Sequence, residues 1–185
     1  MSTTLTLTMA EFDRMVERGA FDGLKKRIEL IYGELLAMSP AGPVREDVIS
    51  YLTRWSTTHT SDAEVAVRIQ CGIGIPELQS VPEPDVAWVR GGIYRQRRPE
   101  PNDVLLLIEV ADTSISHDLG TKQNLYAQAE ILEYWVVDIS KSQVTVMREP
   151  TGRKYRNVRV YGLDDQITPE AAPEAILKIA DMFAG

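Results

Sequence analysis

Two short apolar runs, DVLLLIEV (103–110) and EYWVVD (133–138), constrain what this chain can fold into more than any other feature. A strand with one wet face alternates apolar and polar residues, whereas a run apolar at nearly every position must be covered on both faces. The segment between the two runs, from about Ser114 to Ala129, carries apolar residues at helical spacing. Strand, helix, strand in that order predicts two parallel strands joined by a right-handed crossover. A sheet covered on both sides needs helices above and below it, so the expected class is α/β, a central mixed sheet flanked by α-helices.

The remaining segments extend that sheet. Residues 8–19 read as a short helix with Thr8 as N-cap. RIELIYGELLAM (27–38) reads as two strands around a Tyr32-Gly33 turn, after which Pro40, Gly42 and Pro43 break the chain. Residues 44–59 read as a helix with Val44, Val48, Tyr51, Leu52 and Trp55 toward the core. EVAVRIQCGIGI (64–75) and PDVAWV (84–89) are strand-like, and 90–102 is a loop rich in Gly, Arg and Pro. QVTVMRE (143–149) and RKYRNVRVY (153–161) alternate and predict antiparallel strands; 173–183 predicts a C-terminal helix.

Four charged residues fall where burial is expected. Glu109 lies in the most apolar strand, on the face of Leu105 and Leu107 by alternation. A carboxylate buried there must be paired, protonated or metal-bound; otherwise it reaches solvent at the strand end. Lys122 sits in the apolar arc of its helix. At 100° per residue from Leu119, it falls near about −60°, between Ile115 and Tyr126 on one side and Ala129 and Leu125 on the other. It either snorkels to the edge of the sheet or meets an anion. Asp85 opens a strand beside Ala87 and Val89, where a Pro-Asp pair is often only a strand-entry device. Glu34 starts the second hairpin strand, a position that usually faces water.

Composition limits the function classes. The 185 residues suit one domain, expected to span 1–185, with 44% apolar and 25% charged residues. No run is long enough for a membrane span, MSTTLTLTMAEFDRM has no signal-peptide pattern, and Cys71 stands alone, so a cytoplasmic location is expected. A net charge of −7 counts against strong non-specific DNA binding, which rests on Lys and Arg neutralising phosphates. Two basic stretches, Arg90, Arg95, Arg97 and Arg98, then Arg148, Arg153, Lys154, Arg156 and Arg159, are either phosphate contacts or solvated faces. Rival motifs fail. His117-Asp118 has only His59 as a second histidine, zinc lacks ligands, Gly72-Ile73-Gly74 lacks a third glycine, and no Walker-type loop exists.

Pro-Asp (84–85), Glu-Val (109–110), Asp-x-x-x-Lys-x-x-x-Tyr (118–126) and Glu-Tyr-Trp-x-x-Asp (133–138) follow in order, with IELIYGELLAMSP (28–40) before them. Together they resemble the bacterial restriction-endonuclease-type domain family of the PD-(D/E)XK nuclease superfamily. The resemblance implies a restriction-endonuclease-like fold and a metal-dependent endonuclease hydrolysing phosphodiester bonds, with DNA as the expected substrate and a homodimer as the expected assembly. It implies that Asp85 and Glu109 bind Mg²⁺ or Mn²⁺ with the carbonyl of Val110, and that Glu34 is an accessory metal ligand. Lys122 would be the catalytic lysine, displaced onto the helix because Ala111 stands in the simple E-x-K place, and Asp118 and Tyr126 would flank it. The chain departs from the pattern at Arg45 and Glu46, where many relatives carry a histidine, and at Glu130, where many carry glycine. A non-catalytic nucleic-acid-binding or regulatory module on the same fold is the alternative, and phosphodiester chemistry on RNA or a damaged end, in place of duplex DNA, a third reading.

Overall fold

A computed structural model describes residues 5–184; the first four residues of the stretch considered above as a signal peptide, and Gly185, lie outside the described residues. The chain builds a six-stranded sheet in the order β3-β4-β5-β6-β7-β8. Its strands are β3 (Val65–Ile69), β4 (Val86–Arg90), β5 (Val104–Ala111), β6 (Glu133–Asp138), β7 (Gln143–Thr151) and β8 (Lys154–Tyr161). β5 and β6 are parallel and every other neighbouring pair is antiparallel. Every residue of β6 is buried, as is nearly all of β5. This is the double coverage that the two apolar runs demand.

Helix α2 (Pro43–His59) covers one face, with the short C-terminal α5 (Ile179–Phe183). Trp55 stacks on Trp88 at 5.3 Å between ring centroids and lies 6.0 Å from Trp135, while Trp88 Nε1 donates to Ser56 Oγ at 2.8 Å. These contacts fix α2 on the sheet, and with it the residues of its first turn. The other face is covered by a helical segment built from α3 (Ile115–His117), a π-helical stretch (Asp118–Lys122) and α4 (Gln123–Gln128). Leu125 and Tyr126 pack there against Ala87, Leu107, Tyr134 and Val136.

A hairpin of β1 (Arg27–Ile31) and β2 (Glu34–Met38) completes that layer. Its two-residue turn has φ of 50° at Tyr32 and 79° at Gly33, the paired positive values of a type I′ turn. A Cβ on residue 33 would meet Thr6 Cβ at 2.8 Å, so glycine is required there twice over. Helix α1 (Met9–Glu17) begins at Thr8, whose hydroxyl and backbone N–H form a reciprocal capping box with Glu11. No helix among the described residues is long and apolar enough to cross a membrane.

Several expectations need correction. The strand foreseen over 64–75 ends at Ile69, because Gln70 turns to φ 50° and its N–H bonds the Pro84 and Asp85 carbonyls at 3.2 Å each. The helix foreseen over 173–183 shrinks to α5, because β10 (Leu177–Lys178) pairs with β9 (Gln166–Ile167). Val44 is 61% exposed, in the first turn of α2 before the helix reaches the sheet. Leu105 does not share the face of Leu107. An irregularity pairs Val89 with Val104 and Trp88 with Leu106, which shifts the alternation by one residue.

Candidate active site

Strand pairing brings the Pro-Asp and Glu-Val elements together. Val86 pairs with Ile108, so Asp85, just before β4, lies beside the end of β5 that carries Glu109 and Val110. The Val110 N–H donates to Asp85 Oδ2 at 2.9 Å. Asp85 is fully buried and Glu109 3% exposed.

Lys122 meets one carboxylate on the sheet and one on the β1–β2 hairpin instead of reaching solvent. Its Nζ donates to Glu109 Oε1 at 2.8 Å and to Glu29 Oε1 at 3.0 Å, with all three side chains buried. The spacing of about 100° per residue belongs to an α-helix. Residues 118–122 instead form a π turn, a widening that recurs at functional sites. Tyr126 O–H donates to the same Glu109 oxygen at 3.0 Å. Asp118 is buried, accepts from Ser114 Oγ at 2.6 Å, and offers its backbone carbonyl to Tyr134 O–H at 3.1 Å.

Burial pushes the Glu109 carboxyl up to about 8, against the opposing pull of Lys122. Burial also works against the Lys122 ammonium. Glu109, Glu29 and Asp118 outweigh it and hold its pKa above the ordinary lysine value. Asp118 is raised by burial, and Tyr126 is raised well above the tyrosine norm by burial and by Glu109.

The hairpin glutamate that joins this cluster is Glu29. Glu34 is exposed at the turn, opposite Ile31, and takes no part in the cluster's hydrogen bonds or ion pairs. Glu29 is fully buried; Oε1 accepts from Lys122 and from the Glu83 N–H at 2.9 Å, and Oε2 is buried without a hydrogen-bond partner. Its signal in the sequence was the same as that of Glu109, a carboxylate inside an apolar strand, but five residues of β1 gave too short a pattern to show it.

In the sequence Arg45 shows only as a departure from the family pattern. Its Nη2 donates to both Asp85 oxygens at 2.8 Å, and its Nε donates to the Val110 carbonyl at 2.7 Å. Arg27 adds a longer ion pair to Asp85 at 3.8 Å, and Gln70 Nε2 donates to Asp85 Oδ1 at 3.3 Å.

Two clefts open beside this cluster. One, of about 330 Å³, is lined by Arg45, Pro40, Asp112, Ser114 and His117, and the His117 Nε2 is buried without a partner. The other, of about 430 Å³, is lined by Lys25, Lys26, Arg27, Arg45 and Gln70. This is a cationic surface, and its sequence signal was the Lys25-Lys26-Arg27 run. The two longer basic stretches are partly consumed by structure. Arg97 pairs with Asp103, Arg98 with Asp13 and Arg148 with Glu133.

The family described as "Putative restriction endonuclease" (Uma2) matches residues 9–180. A crystal structure of "a putative nuclease belonging to DUF820" from Anabaena variabilis ATCC 29413 shares the fold, with a TM-score of 0.73 over 96% of this chain and 98% of that one at 16% identity. No curated protein matches the sequence. The chain belongs to the Uma2 family, and its fold is restriction-endonuclease-like.

Proposed function

We propose that this member of a nuclease family hydrolyses phosphodiester bonds in nucleic acid, with DNA as the first substrate to test, and that Asp85, Glu109 and Lys122 carry the reaction. One observation carries the proposal. A lysine with no exposure is held between two buried carboxylates at the end of β5, beside Asp85 and next to a cationic cleft. Burying such charges costs more than an apolar cluster of the same size would, so a core position does not by itself explain them.

The donor set suits Mg²⁺ or Mn²⁺, since carboxylate and carbonyl oxygens are hard ligands. Among the described residues no three His, Cys, Asp or Glu side chains gather to hold an ion by themselves. The ligands that the family resemblance implies are Asp85, Glu109 and the Val110 carbonyl. When bound, the ion would supply a water of lowered pKa and offset phosphate charge. The chain's own groups have separate tasks. Lys122 Nζ holds a fixed positive charge where negative charge develops on the phosphate. Tyr126 O–H orients Glu109, and Glu109 and Glu29 together keep Lys122 charged. Lys25, Lys26 and Arg27 would contact backbone phosphates, which position the nucleic acid without reading its sequence. A homodimer would bring one such site to each strand of a duplex.

A second reading, a non-catalytic nucleic-acid-binding module, draws support from Arg45, which already engages Asp85 and the Val110 carbonyl. Supercoiled plasmid, single strands and RNA, each incubated with Mg²⁺ or Mn²⁺, separate the two. Cutting by the wild type and not by Asp85→Ala or Lys122→Ala is expected. Equal cutting by all three would remove the assigned site, and DNA binding without cutting under either metal would favour the binding module.

A further inference from the structure

We infer that Arg45 is a built-in cation occupying the place a divalent ion would take, so that metal binds this site only in competition with the Arg45 guanidinium. The inference rests on the reading of Asp85, Val110 and Glu109 as the ligand set.

The geometry is specific. The guanidinium spans two of the three proposed ligands, donating through Nη2 to both oxygens of Asp85 and through Nε to the Val110 carbonyl. The third, Glu109, is engaged on Oε1 by Lys122 and Tyr126. Asp85 is fully buried, and the Arg45 side chain, 11% exposed, lines both clefts, so it stands between the carboxylate and solvent. A divalent ion must approach carboxylate oxygens to about 2.0–2.2 Å. It cannot do so while a second cation holds both oxygens of the same group.

Local preference does not explain the placement. Arg45 lies in the first turn of α2, where the helix dipole favours acidic over basic residues. The tertiary partner decides it. Nη2 meets both oxygens of Asp85 while Nε of the same planar group meets the Val110 carbonyl, a span over two separate acceptors that a lysine ammonium cannot reproduce. Like a metal ion, the guanidinium neutralises Asp85 and ties the strand end to α2, but it brings no water to activate. A phosphate is a competing partner for a guanidinium, which gives the position a way to open as nucleic acid arrives.

The test is a calorimetric titration of Mn²⁺ into the wild type, Arg45→Gln, Arg45→Lys and the double variant Arg45→Gln/Asp85→Asn. Losing charge-assisted hydrogen bonds to Asp85 should tighten Mn²⁺ binding in Arg45→Gln by about tenfold or more. Arg45→Lys should show a smaller gain, and the double variant should lose the gain. Mn²⁺ should raise the melting temperature of Arg45→Gln more than that of the wild type. If Arg45→Gln does not fold, Arg45→Lys, which keeps the charge, reads the same sign. The inference is overturned if neither single variant binds Mn²⁺ more tightly than the wild type, or if the gain survives without Asp85. Cleavage does not enter this test. A gain in Mn²⁺ affinity in a protein that cuts nothing leaves the inference standing and counts against the nuclease reading. Cutting by the wild type with equal affinities does the reverse.

Discussion

Glu109 and Glu133 are both buried glutamates on the parallel pair β5 and β6, yet they live in different chemistry. Glu133, at the start of β6, is completely satisfied. Oε1 accepts from Trp135 Nε1 at 2.8 Å and from Arg148 at 2.8 and 2.6 Å, and Oε2 accepts the Glu170 N–H at 2.7 Å. Glu109, toward the end of β5 and on the opposite face, shares its lysine with Glu29 and lies near Asp85 and Asp118. Burial is the largest influence on both carboxyls and raises both. A raised pKa therefore does not tell them apart; the inventory of partners does. Glu133 holds Arg148 through two short hydrogen bonds, with only the exposed Glu170 as a second, 3.7 Å ion partner of that arginine, while Glu109 shares Lys122 with a second buried carboxylate.

Removing the cations tests that difference most severely. Lys122→Met leaves Glu29 and Glu109 facing each other without a cation in the interior, at a cost of about 3–5 kcal/mol. Arg148 is partly exposed, and Glu133 keeps Trp135 and the Glu170 N–H, so Arg148→Met should cost about 1–3 kcal/mol. Urea unfolding measures both, and equal losses would break the comparison. The carboxylates come next. Glu109→Gln should lower cleavage by about 10²-fold or more, while Glu133→Gln should leave the rate of the folded protein near that of the wild type. A large rate loss in Glu133→Gln would show that the site extends across the sheet.

The pH dependence has a defined sign. The folded-state pKa of Glu109 is raised from 4.5 to about 8, so its contribution to stability is present below pH 4.5 and is lost as pH rises through about 8. The raised Lys122 pKa contributes stability below its unfolded value of 10.5, so it is constant across that window. Thermal unfolding of Glu109→Gln should therefore show a flatter pH profile than the wild type. Glu133→Gln should shift in the same sense, because burial raises that carboxyl too. A steeper profile in Glu109→Gln would mean that the carboxylate is held ionised. The smallest expected effect belongs to Tyr126→Phe, which removes one hydrogen bond to Glu109. It should cost about 0.5–1.5 kcal/mol in urea unfolding, and no measurable loss would place the hydroxyl outside the cluster's energetics.

Much of the frame was legible because it depends on local pattern. The β1–β2 hairpin followed from apolar runs around a Tyr-Gly turn, the Thr8 cap from a polar residue before a helical period, and the buried pair from two uninterrupted apolar strands. The failures mark where non-local contacts overrule local preference. Residues 70–75 have strand composition, but Gln70 is drawn onto the Pro84 and Asp85 carbonyls. Residues 177–178 could have continued a helix, but pair with β9.

The sequence by itself determined that Glu109 and Lys122 are out of place, since periodicity reports which face a residue occupies and so which charges must be buried. Only the tertiary structure decided what they meet. Lys122 reaches Glu29 across 93 positions, and Arg45 reaches Asp85 across 40 and Val110 across 65. The physical reason is that burial is a property of one residue and its neighbours in the chain, whereas charge pairing is a property of two surfaces brought together. A carboxylate in an apolar strand announces that it needs a partner, and the packing of α2, the hairpin and the π turn against the sheet decides that Glu29 joins Lys122 and that Arg45 stands on Asp85.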